Sequence, residues 1–108
     1  MNNKRLNAVC EILKIRGGEN VAVRDDLQGA TFFSNNVPLM ADIQTILRAF
    51  FTNAEFLIDD MSWMGYDGIS AIYLVYGEWR DKIDTNLVLM SVKATDEERV
   101  IEIIKGAE

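Results

Sequence analysis

The chain has 108 residues, of which 49% are apolar and 26% charged, with one proline, one cysteine, no histidine and a formal net charge of −6. This is enough for one domain burying about 65% of its unfolded surface, and the usage argues against disorder. A lone cysteine excludes an internal disulfide, no stretch approaches a membrane span of about 20 apolar residues, and "MNNKRLNAVCEILKIRGG" lacks the apolar run of a signal peptide, so a soluble, cytoplasmic protein is expected.

A first helix is expected over about 3–15. Leu6, Val9, Cys10 and Leu13 recur at helical spacing. Arg5 and Arg16 edge that stripe on one side and Lys14 on the other, and the glycine pair 17–18 ends it. A hairpin follows: "NVAVRD" alternates with Val21 and Val23 on one face and Arg24 on the other, and "ATFFS" returns after the turn "DLQG". The second helix begins after "SNNVP", where Pro38 suits a first turn. Its broad apolar face carries Leu39, Met40, Ile43, Ile46, Leu47, Phe50 and Phe51, with Asp42, Thr45 and Arg48 opposite.

Segment 53–64 fits two patterns. As a helix it has a stripe of Leu57, Met61 and Met64, with a capping box in "TNAE" and a stop at Gly65. As half of a hairpin it would turn at "GYDG" into the strand formers that follow. The helix accounts better for period and punctuation and is the expected form. "ISAIYLVYG" (69–77) and "NLVLMSVKA" (86–94) are apolar on both faces and are expected as central strands. A last helix starts at "TDEER", with Thr95 as cap, Glu98 closing a capping box, Asp96 and Glu97 favoured by the helix dipole, and Gly106 as its stop. The expected fold is one α+β domain over 1–108, with an antiparallel sheet of about four strands and three to four helices.

Chemistry is mostly excluded rather than found. Without histidine the chain lacks the commonest general base and the usual cysteine and serine triads. Cys10 lies on the apolar stripe of the first helix and reads as core. The pairs Asp25–Asp26 and Asp59–Asp60 are sequence neighbours whose side chains diverge, and "DDMSWMGYDG" lacks the alternating oxygen ligands of a calcium loop. "RGGEN" has neither spacing of a phosphate-binding loop. No metal and no cofactor are expected, and catalysis by carboxylates alone ranks last.

The charge is uneven. Residues 1–50 hold six Lys/Arg and five Asp/Glu, whereas residues 51–108 hold five and twelve. No Lys or Arg lies between Arg48 and Arg80, a gap containing Glu55, Asp59, Asp60, Asp67 and Glu78. Trp63, Tyr66 and Trp79 sit in or beside it, with Met61 and Met64 expected to fill the core. Tryptophan and tyrosine dominate interface hot spots, and an acidic field repels nucleic acid while steering basic partners. The expected function is therefore non-catalytic. It is an inhibitor of the phage counter-defence or immunity and antitoxin kind, occluding the basic surface of a partner protein such as a nuclease or other nucleic-acid-binding protein. Its contact residues would be Glu55, Asp59, Asp60, Trp63, Tyr66, Asp67, Glu78 and Trp79. The alternative is a small accessory domain holding a metal or small ligand through clustered carboxylates. A homodimer is compatible if one sheet face stays uncovered.

Overall fold

Leu39, Ile43, Ile46, Leu47 and Phe50 recur every three or four residues, and all are buried on one side of a helix over Val37–Phe50 (α2). This helix is central to the core of the computed structural model, which describes residues 3–18, 22–23, 31–34, 37–93 and 97–108. A first helix, α1 (Asn3–Gly17), packs against it through Val9, Ile12 and Leu13, and ends beside Gly18 at φ +55°. That left-handed conformation is the ordinary glycine termination of a helix.

The strands are β1 (Ala22–Val23), β2 (Thr31–Ser34), β3 (Phe51–Asp60) and β4 (Ser70–Trp79). Sheet order is β1-β2-β4-β3, with every neighbour antiparallel. Most of the sheet is the long β3–β4 hairpin. Two further helices, α3 (Thr85–Val92) and α4 (Glu97–Ala107), complete an α+β domain and pack on α1 and α2. Phe51, Ile72 and Leu74 join the helices' apolar residues in one core. No helix among the described residues is long and apolar enough to cross a membrane.

Several expectations are corrected. Residues 86–94 are not a central strand, because 85–92 form α3. The Asp84 carboxylate accepts from the Leu87 N–H as its cap, and Val88, Ser91 and Val92 are buried at helical spacing. Both faces of that segment are apolar, so periodicity alone could not separate helix from strand. Residues 53–64 are not a helix: β3 runs through Asp60, and a single 3-10 turn spans Met61–Met64. Pairing with β4 overrides the helical stripe, and Asn53, in the supposed capping box, sits at φ +55° beside two register shifts. The sheet is antiparallel with 70–79 at an inner position, as expected of 69–77, but 86–94 takes no part in it. Phe51 opens β3 rather than closing α2, and Gly106 lies inside α4.

Val21, Arg24, the Asp25–Asp26 pair, the "DLQG" turn, the end of "RGGEN" and the Thr95–Asp96 cap lie outside the described residues.

Arg16 and Asp42 hold the helices together. The Arg16 guanidinium donates to Asp42 Oδ2 at 2.7 Å and 3.1 Å, and to the Ser91 carbonyl at 3.2 Å. Lys93 approaches the same carboxylate oxygen at 3.4 Å. Helices α1, α2 and α3 thereby meet at one mostly enclosed carboxylate. Arg5 similarly donates to the Arg80 and Asp81 carbonyls, tying α1 to the segment after β4.

Candidate functional site

Register assigns the two faces of the hairpin. Phe56 opposes Leu74 and Ile58 opposes Ile72, on the face toward the helices. Leu57 opposes Tyr73 and Asp59 opposes Ala71, on the other face. A register shift then falls between Phe56 and Glu55, so that Glu55 pairs with Tyr76 and Val75 is left over. Such a bulge turns neighbouring side chains to the same side. The outer face consequently shows Leu57, 57% exposed, and Val75, 64% exposed, beside Tyr76.

The 3-10 turn shapes the far end of this face. The Asp60 carboxylate accepts from the Ser62 N–H to start the turn, and Gly65, at φ +88°, ends it. No L side chain adopts that backbone readily, so glycine is required there. The Met61 N–H bonds the Ile69 carbonyl at 2.9 Å, closing the hairpin. Met61 is buried under the turn, and the Tyr73 hydroxyl reaches its sulfur at 3.9 Å. Met64 is half exposed, so of the two methionines expected in the core only Met61 is enclosed, and it lies apart from the main cluster. Met61, Met64, Tyr66 and Ile69 line an open cavity of about 350 Å³.

Trp63 is 70% exposed, its indole Nε1 donating to Asp59 Oδ2 at 3.2 Å. Tyr66 is exposed beside the cavity, and Asp67 is exposed in the same loop. Glu55 and Glu78 lie on the outer face with Tyr76, whose hydroxyl donates to Glu78 Oε1 at 2.7 Å. That bond and the Glu78 charge, with a lesser effect of Glu55, favour the protonated phenol and push its pKa above the ordinary value. Among the described residues, none of Glu55, Asp59, Asp60, Asp67 and Glu78 is within ion-pair reach of a lysine or arginine.

The hairpin thus carries Glu55 and Glu78 toward the end away from the turn, and Asp59, Asp60, Trp63, Tyr66 and Asp67 at or beside the turn, rather than drawing all seven into one cluster. Trp79 stands apart. It lies at the end of β4 rather than in a polar connection, with its ring tilted on Phe51 at a centroid distance of 4.2 Å. Leu57, Val75 and Tyr76 belong to the exposed face but were not singled out from the sequence. Their alternation becomes readable only once 51–60 is known to be a strand. Among the described residues, no three His, Cys, Asp or Glu side chains are grouped closely enough to hold a metal.

Compared with known proteins, the chain matches no family model, no curated protein and no solved structure.

Proposed function

We propose that this protein is a non-catalytic binding module that docks the basic surface of a partner protein and occludes it. The observation that carries this reading is the outer face of the hairpin. Leu57, Val75, Tyr76 and Trp63 are exposed there, within a stretch that contains five carboxylates and no lysine or arginine. Aromatic and aliphatic anchors ringed by charge are the usual anatomy of an interface, whereas isolated exposed apolar residues need no explanation. The acids speed encounter and select the sign of the partner, while the apolar residues hold it. A nuclease or other nucleic-acid-binding protein has the matching chemistry, and covering its basic groove would inhibit it.

The test is capture from a source lysate with wild-type protein and with a Leu57→Asp/Val75→Asp variant. The reading expects a basic protein on the wild type alone, released as salt rises. Equal recovery on both baits removes the outer face as the site.

A further inference from the structure

Strand β3 is an outer strand of the sheet, and the phase of its ladder can be fixed. In an antiparallel pair, alternate residues direct both backbone groups at the partner strand and those between direct them away. The Met61 N–H bonds the Ile69 carbonyl, so Met61 faces β4. Counting back, Asp59 and Leu57 also face β4, while Asp60, Ile58 and Phe56 present their N–H and C=O groups to the open edge. No hydrogen bond from another described residue meets those groups.

Natural sheets guard such edges with lysine, proline or bulges. Here the register shifts and the positive φ of Asn53 irregularise the first half of β3. The half from Phe56 to Asp60 is regular and contains neither lysine nor proline. Ile58 faces the helix side yet is 53% exposed, and Leu57 is exposed on the outer side, so apolar contacts are available on both faces of this edge.

We propose, building on the docking reading above, that the Phe56–Asp60 edge accepts an extended basic segment of the partner as an additional strand. Main-chain bonds to Phe56, Ile58 and Asp60 give affinity in strand addition, and side-chain complementarity gives selectivity. Glu55, Asp59 and Asp60 supply the complementarity: each is without a cation among the described residues. A second copy of this chain is a poor occupant. Pairing would add the same three carboxylates from each chain to one short ladder, with no lysine or arginine in Phe51–Asp60 to offset their repulsion.

The test uses a capped octapeptide of alternating lysine and valine as probe, with a glutamate–valine octapeptide as control. Amide exchange and Trp63 fluorescence are followed at low salt. At ten times its dissociation constant, the basic peptide should slow exchange at the Phe56, Ile58 and Asp60 amides by about tenfold. Asp60→Pro isolates the backbone contribution, because Asp60 already sits at φ −77° and its N–H faces outward. Relative to Asp60→Ala, which removes the same carboxylate, Asp60→Pro should weaken binding about tenfold, the loss from one unmet hydrogen bond. Binding that changes Trp63 fluorescence but leaves the three amides unaffected overturns strand addition while leaving the docking face intact. Equal binding by the acidic peptide, or by neither peptide, overturns the basic occupant. Protection of the same amides that rises with protein concentration alone would assign the edge to a second copy instead.

Discussion

The Trp63 indole is held by the Asp59 carboxylate four residues earlier in the chain, at 3.2 Å, while most of the ring faces solvent. A large aromatic side chain fixed in place but left uncovered loses little further rotamer freedom on binding, which suits it to anchor a partner. Trp63→Ala should change urea-measured stability by less than about 1 kcal/mol, as for other exposed sites. Affinity for the captured partner should fall by about 2 kcal/mol or more. Asp59→Asn keeps the hydrogen-bond acceptor and removes the charge, so it should slow association and flatten the salt dependence while leaving dissociation nearly unchanged. Stopped-flow kinetics with the two variants separates anchoring from steering.

A second prediction concerns stability alone. Asp42 receives Arg16 and Lys93 where α1, α2 and α3 meet, and its side chain is 18% exposed. Among the described residues, Asp42→Ala leaves the Arg16 guanidinium with only the Ser91 carbonyl, in a largely enclosed position. Charge-assisted bonds of this kind are worth about 1.5–3 kcal/mol each, and partial solvent access lowers the figure. A destabilisation of about 2 kcal/mol is expected by chemical denaturation. Asp42→Ala with Arg16→Met should recover part of it, because the enclosed cation is then gone.

Gly77 in β4 is required by packing rather than by backbone conformation. A Cβ there would lie 3.1 Å from the Phe51 Cβ and 3.3 Å from its ring, and Phe51 is itself buried against Trp79. The neighbour is the root of a fully packed side chain and has little room to yield. Gly77→Ala should therefore destabilise by about 1–3 kcal/mol, outweighing the few tenths gained from a stiffer unfolded chain. Loss of the tilted Phe51–Trp79 contact should appear as a change in tryptophan near-ultraviolet dichroism.

What could be read from the sequence depended on whether one periodicity excluded the other. In α2 the positions from Leu39 to Phe50 recur at helical spacing with polar residues opposite, and no strand pattern fits. In 85–92 the apolar run Leu87–Met90 and Val92 occupy both alternating faces, so strand and helix fit equally. Asp84, whose carboxylate caps α3, was the discriminating residue, and it lies one position before the helix. Asp84→Ala should accordingly cost about 1 kcal/mol and reduce helical dichroism, an effect a strand there would not show. In 53–64, local capping signals favour helix, but the pairing of Glu55 through Asp60 with β4 prevails. The acidic gap is legible because the order of charges along the chain does not depend on secondary structure. The apolar outer face is not, since Leu57, Val75 and Tyr76 come together only through the register and its bulge.

The Tyr76–Glu78 pair provides a pH-dependent marker on that face. The phenol donates to Oε1 of Glu78 at 2.7 Å, and both this bond and the neighbouring carboxylate charge raise the phenol's pKa above its ordinary value. With the folded pKa raised, the protonated phenol is favoured in the folded state. The associated stabilisation is fully present below the unfolded pKa and is lost as pH rises through the folded one. A phenolate there would also add a negative charge beside Glu55 and Glu78. Ultraviolet difference titration should accordingly show one tyrosine ionising later than a model tyrosine, and Glu78→Gln should return it toward the ordinary range. If Glu78→Gln leaves all the tyrosine transitions where they are, the bond is not formed in solution. Because Tyr76 is on the proposed docking face, the same variant should also weaken association with a basic partner at low salt more than at high salt.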